Sequence, residues 1–293
     1  MPSIYTHQSS NVFKTYLLMV LFLGLIGAIG YYFSYYYQNP AILYFAIIFS
    51  LVMNFTSYWY SDKIALAVSK ARPATREEYF DLYTLTENLS ITAGLPMPKI
   101  YVIDDPAPNA FATGRDKNHA VVAVTTGLLA RLERSELEGV IAHELSHIGN
   151  RDILLMSVVV VLVGMIVIIS DMFSRSMLWG GGRKNENRSG GILVIVGLVL
   201  VILSPIIATL IKLAISRKRE FLADASSALL TRYPEGLASA LEKISTYKEP
   251  MKSVSGATAH LFISNPFGSK SISGLFSTHP PAQKRIAILR GMS

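Results

Sequence analysis

Apolar positions in this chain gather into long stretches, separated by a polar middle and followed by a polar end. Four stretches approach or exceed the roughly 20 residues that a bilayer-crossing helix needs: about 15–37, 41–60, 153–170 and 192–215. Only Gln38, Asn39 and Pro40 separate the first two, which predicts a tight helical hairpin. The third carries no charge; the fourth contains Pro205 and Lys212, the lysine near one end where it can reach the interface. Tyr31, Tyr32, Tyr35, Tyr36 and Tyr37 crowd the end of the first stretch, and Tyr58, Trp59 and Tyr60 that of the second, as in interfacial aromatic belts. The first stretch exceeds a signal-peptide core and a second follows at once, so cleavage is not expected.

The polar blocks have their own periodicities. Residues 75–92 read as an amphipathic helix, and 99–104 and 120–125 as short strands. Gly114 and Asn118 supply turn chemistry between them, and 180–191 is a Gly-rich, charged loop. The expectation is a mainly α membrane protein: four transmembrane helices plus an α+β domain with a small β-sheet. It divides into a first hairpin (1–60), a first polar part (61–152), a second hairpin (153–215) and a second polar part (216–293).

Composition sharpens this picture. The 293 residues are 51% hydrophobic and 16% charged, against about 25% charged in soluble domains. The net charge of +7 invites a nucleic-acid reading, but Lys63, Lys70, Arg72 and Arg76 follow one apolar stretch and Arg217, Lys218 and Arg219 another. That placement fits membrane orientation, with no nucleic acid as partner. Arg175, Arg183, Lys184 and Arg188, in the loop between the third and fourth stretches, pull the other way. There is no cysteine, so disulfides and thiolate metal sites are excluded.

Residues 143–147 read His-Glu-Leu-Ser-His. Histidines at i and i+4 share one helix face and can reach one ion, and imidazole suits zinc. Glu144 between them is placed to take a proton from water and hand it to a leaving amine. Ser135 and Glu138 form a capping-box pattern, and Leu137, Val140, Ile141, Leu145 and Ile148 follow at helical spacing. A third ligand is required. Asn150 and Ile153 stand where a metzincin would have glycine and histidine, and the uncharged third stretch offers no glutamate. The next good candidate is Glu220, in Arg219-Glu220-Phe221-Leu222-Ala223-Asp224, with Asp224 on the same helical face as partner of a ligand histidine. Two spans between His147 and Glu220 return both to one side of the membrane. One Zn²⁺ per chain, on His143, His147 and Glu220, is the expected cofactor.

Together with Thr278-His279-Pro280-Pro281, Arg285 and the segment Pro108-Asn109-Ala110-Phe111-Ala112-Thr113-Gly114, these motifs resemble the HtpX family of membrane zinc proteases, relatives of the CAAX prenyl endopeptidases. The likeness covers nearly the whole chain. It implies a gluzincin-like catalytic domain on the cytoplasmic side of a bacterial inner membrane, cutting damaged or misassembled membrane proteins. His279 then polarises the substrate carbonyl or steadies the oxyanion, or is simply a turn histidine. Arg285 binds a carboxylate near the site, or is an exposed helix arginine. Ala110, Phe111, Ala112 and Thr113 either receive substrate as an added strand or form hairpin core.

Two rivals frame these expectations. An intramembrane protease is disfavoured by Arg131, Glu133, Arg134, Glu136 and Glu138 before His143 and Arg151 and Asp152 after it. A non-enzymatic membrane scaffold or transporter with a protease-like fold is disfavoured by the intact motif. If the zinc helix ran straight into the third stretch, the ion would lie about 6–9 Å beyond the bilayer surface.

Overall fold

A computed structural model describes residues 4–164, 217–252, 255, 258–268 and 280–292, with side chains from residue 9 onward. The first two apolar stretches form α1 (Ile4–Tyr36) and α2 (Ala41–Val68), both longer than the expected spans. Both are apolar enough to cross a membrane. The polar sequence beyond each apolar stretch continues the same helix, and hydropathy alone does not register it. The fourth stretch and its preceding loop lie outside the described residues.

The third stretch is seen in part, as α6 (Asp152–Gly164), and it does not continue the motif helix. The two are bent by 84°. The break falls at Asn150 and Arg151, the latter with φ +57, a left-handed conformation unusual for a side-chain-bearing residue. The straight run into the membrane expected above is therefore corrected. From Ile153 to Val163, α6 is buried.

A small mixed sheet holds the centre. Its strands are β1 (Arg72–Pro73), β2 (Lys99–Ile103), β3 (Ala110–Gly114) and β4 (Ala120–Thr125), in the order β1-β2-β4-β3. β2 and β4 run parallel; the outer pairs are antiparallel. β4 reads Ala-Val-Val-Ala-Val-Thr and is buried at every residue, as a strand covered on both faces must be. One face, with Ile100, Val102, Ala112, Val122 and Val124, packs on α3 (Phe80–Ala93) and α5 (Arg134–Gly149). The other, with Ile103, Phe111, Val121 and Ala123, meets Ala65 and Leu66 of α2 and Met156 and Val160 of α6. The membrane hairpin thus forms part of the sheet's cover.

α4 (Thr126–Arg131) leads into α5, whose start differs from the sequence expectation. Glu133 is the N-cap, and the Glu136 carboxylate accepts the Glu133 N–H at 2.8 Å. Lys243 Nζ, from α8 (Pro234–Thr246), lies 2.8 Å from that same carboxylate, a tertiary contact that favours this register over one starting at Ser135. Two glycines set the spacing of α5 and α8. A Cβ on Gly139 would meet the Leu237 nitrogen at 2.6 Å, and one on Gly236 the Ser135 carbonyl at 2.6 Å. α7 (Arg217–Thr231) and α9 (Ala282–Arg290) complete the described helices.

Candidate metal centre

α5 and α7 lie side by side, and their facing sides carry the chemistry. His143 and His147 sit one turn apart on α5 and Glu220 opens α7, all at most 4% exposed. The two Nε2 atoms are 3.2 Å apart. Glu220 Oε2 is 3.7 Å from His143 Nε2, and Oε1 is 3.6 Å from His147 Nε2. One donor atom from each residue falls within a 4.8 Å cluster.

Outer partners fix which nitrogen faces inward. His143 Nδ1 lies 3.0 Å from Asp224 Oδ1, and His147 Nδ1 lies 2.9 Å from Asp152 Oδ2. A carboxylate on each Nδ1 selects the Nδ1–H tautomer and turns both Nε2 lone pairs toward each other. Two lone pairs at that distance repel unless a proton or a cation lies between them. Two ligands about 2.0–2.1 Å from a tetrahedral zinc ion stand roughly 3.3 Å apart, so the donor set fits that ion.

Arg285 is buried, not the exposed helix arginine of the alternative reading. Its Nε and Nη2 form a fork on Asp224, at 2.9 and 2.6 Å. Nη2 also lies 3.4–3.5 Å from both ring nitrogens of His143. Burial lowers the His143 pKa to about 4, with Arg285 adding to the effect against Asp224. Burial opposes charge on His147 too, but the Asp152 hydrogen bond and the Glu220 charge win, raising its pKa to about 9. Burial also raises the Asp224 carboxyl, but Arg285 and His143 outweigh it and hold the group below its usual range.

Glu144, between the histidines, is buried, which raises its pKa to about 7. The nearby backbone N–H of Ala112 opposes that rise, and α5 packs against β3, so this strand borders the site. Its outer edge is engaged elsewhere. The Ala110 carbonyl accepts from the Ile263 N–H at 2.9 Å, and the Gly114 N–H donates to Ser157 Oγ at 3.3 Å. Ala110, Phe111, Ala112 and Thr113 are all buried, with Phe111 edge-on to Phe262 at 5.1 Å. His279 lies outside the described residues.

Sequence reasoning missed Asp152, counted there only as local charge. Its signal was present: an acid five residues past His147, opening an uncharged stretch. His260 is buried as well, with Nε2 3.1 Å from the Met156 carbonyl.

The Peptidase family M48 model matches residues 77–293, which include the whole cluster. The chain belongs to peptidase family M48. Similar proteins match along most or nearly all of the chain. A protease HtpX homolog of Caldanaerobacter subterraneus subsp. tengcongensis is 50% identical over 296 residues, covering 99% of this chain and 98% of that protein. Another, from Thermoanaerobacter pseudethanolicus, is 50% identical over 297 residues with the same coverage. One from Thermococcus sibiricus is 48% identical over 282 residues, covering 94% of each. Ste24p of S. mikatae shares the fold at TM-score 0.52 and 18% identity, over 97% of this chain and 67% of that one. The chain is thus a membrane metalloprotease, and the scaffold reading is set aside.

Proposed function

We propose that this M48 peptidase is a zinc endopeptidase of a bacterial inner membrane, working at the cytoplasmic surface on membrane proteins in quality control. The observation that carries the chemistry is the facing pair of His143 and His147 Nε2 atoms, 3.2 Å apart, with Glu220 opposite. These three residues hold the ion. When bound, zinc supplies Lewis acidity and a water acidified to near neutral pH. Glu144 takes the proton of the attacking water and passes it to the leaving amine; a carboxyl with pKa about 7 can do both. Asp224 and Asp152 hold the two histidines in their tautomers, and Arg285 pins Asp224. His279 serves the substrate carbonyl.

Substrate lies along β3 at Ala110–Gly114, the strand against which α5 packs. The Ile263 and Ser157 contacts mean that this docking requires the edge to be partly freed. Location is supported by the basic residues flanking the first hairpin, and substrate class by the resemblance of the motifs to the HtpX family. Casein hydrolysis by the purified full chain, with zinc analysis, tests the reading. Glu144→Gln should keep zinc and lose about 10²–10⁴-fold in rate. Glu220→Ala should lose zinc and activity together. Zinc at full occupancy in Glu220→Ala, or unimpaired hydrolysis by Glu144→Gln, would reject these roles.

A further inference from the structure

The carboxylate that orients His147 is itself held by the membrane hairpin. Asn11 on α1 is 3% exposed and sits against the break between α5 and α6. Its Nδ2 donates to Asp152 Oδ1 at 2.6 Å and to the Asn150 carbonyl at 3.1 Å. Both amide hydrogens are thereby used, one on each side of Arg151. The Asn11 carbonyl accepts from Arg219 Nη1 at 3.5 Å, and Arg219 Nε lies 3.4 Å from Asp152 Oδ1. Asp152 Oδ2 is left for His147 Nδ1, at 2.9 Å.

An aspartate's terminal torsion is broad and twofold, so an untethered carboxylate swings and exchanges its oxygens. Asn11 and Arg219 both engage Oδ1, which fixes the plane of the group and dedicates Oδ2 to the histidine. Arg219 also precedes Glu220, so the cluster ties α1 to both metal-bearing helices. The apolar contacts agree: Leu18 and Phe22 of α1 pack on Leu154, Leu155 and Val158 of α6. The family match begins at residue 77, far beyond Asn11.

We infer that Asn11 is a positioning residue of the metal centre: through Asp152 it sets the orientation of His147, so the first membrane helix is part of the metal-binding apparatus. The inference rests on the reading that His143, His147 and Glu220 hold the ion. A partner of a ligand histidine is worth about 10–100-fold in metal affinity, so a residue acting through that partner should reach the lower end of this range.

The test uses the full chain in nanodiscs, with zinc release to a chelator and the visible spectrum of the cobalt-substituted protein as readouts. Asn11→Leu should release zinc about tenfold faster and shift the cobalt bands. Asn54→Leu is the control: Asn54 is also buried in the hairpin but donates to the Met19 carbonyl, away from the ion. It should leave both readouts unchanged. Asn11→Leu combined with Asp152→Asn should add little to Asp152→Asn alone, because coupled residues are non-additive. If Asn11→Leu does not assemble, Asn11→Ser takes its place in the cycle, keeping a small polar group that cannot bridge both acceptors. Wild-type spectrum and release in the Asn11 variant, with both altered in Asp152→Asn, would overturn the inference and spare the metal reading. Additive effects, or equal effects of Asn54→Leu, would reduce Asn11 to a packing role. A wild-type chain that takes up neither zinc nor cobalt would overturn both.

Discussion

The hairpin α1–α2 and the α5–α7 pair solve opposite solvation problems. On α2 the buried positions as far as Ser61 are Ser50, Asn54, Ser57 and Ser61, with Ala65 and Leu66 following under the sheet, while Phe45, Leu51, Val52 and Phe55 face outward. On α5 the interior is Leu137, Val140, Ile141 and Leu145, and the polar groups buried with them are His143, Glu144 and His147 of the metal site and Glu136, which caps the helix and pairs with Lys243. A helix that is apolar outside and polar inside fits lipid; one that is apolar inside fits water. The difference teaches where polarity is tolerated. In the hairpin, small hydroxyls sit at helix contacts. In the catalytic module, buried charges around the histidines are paired: Asp224 with Arg285, Asp152 with His147 and Arg219.

The strongest way to break this comparison is to place one carboxylate in each region. Ile141→Asp puts an unpaired charge in a fully buried site and should cost several kcal/mol, leaving little folded protein in size-exclusion profiles. Leu51→Asp, at a position half exposed, should cost about 2.5–3.5 kcal/mol in insertion if its surroundings are lipid. The measure is the share of new protein that resists alkaline extraction from membranes. Extraction unchanged by Leu51→Asp would mean that this face meets water.

A smaller effect concerns the charges within the module. Metal must displace the proton that Asp152 and Glu220 hold on His147, whose pKa is about 9. Apparent zinc affinity should therefore rise about tenfold per pH unit from pH 7 toward 9 and flatten above. Asp152→Asn removes a group that raises this pKa, so its plateau should begin at lower pH. Titration with a zinc indicator reads both curves, and a flat wild-type curve would show that His147 carries no displaceable proton. The smallest effect is expected where neither region is involved. Arg76 and Glu87 pair at 2.8 Å on the surface, 51% and 39% exposed. Arg76→Gln should shift the unfolding midpoint by less than about 1 °C.

What the sequence displayed was local. Long apolar runs gave α1 and α2, and the i,i+4 histidines with helical spacing around them gave the body of α5. β2 and β4 were visible as short β-branched runs. Contacts between distant segments were not visible. The break at Asn150 and Arg151 follows Gly149, but the left-handed residue is an arginine, which sequence does not announce, and the turn is held by Asn11 from far upstream. The start of α5 was misplaced because Ser135–Glu138 and Glu133–Glu136 both suit a cap, and the Lys243 contact that favours the latter comes from another helix. Arg285 looks solvent-ready in sequence, and only the approach of α9 to α7 shows that it is buried on Asp224.

Gly139 carries a consequence for how the chain can change over generations. It does no chemistry, yet it sits one helical turn before His143, against the backbone of Leu237 at a spacing no side chain permits. An alanine there would drive α8 off α5, and with it Lys243, which holds the Glu136 end of the motif helix. A lineage could exchange many core residues for others of similar volume, because packing tolerates such repacking. It has no equivalent trade at position 139, where hydrogen is the smallest substituent available. Random variants surviving selection for activity should therefore be as depleted at Gly139 as at the histidines, although nothing at that position ever touches a peptide.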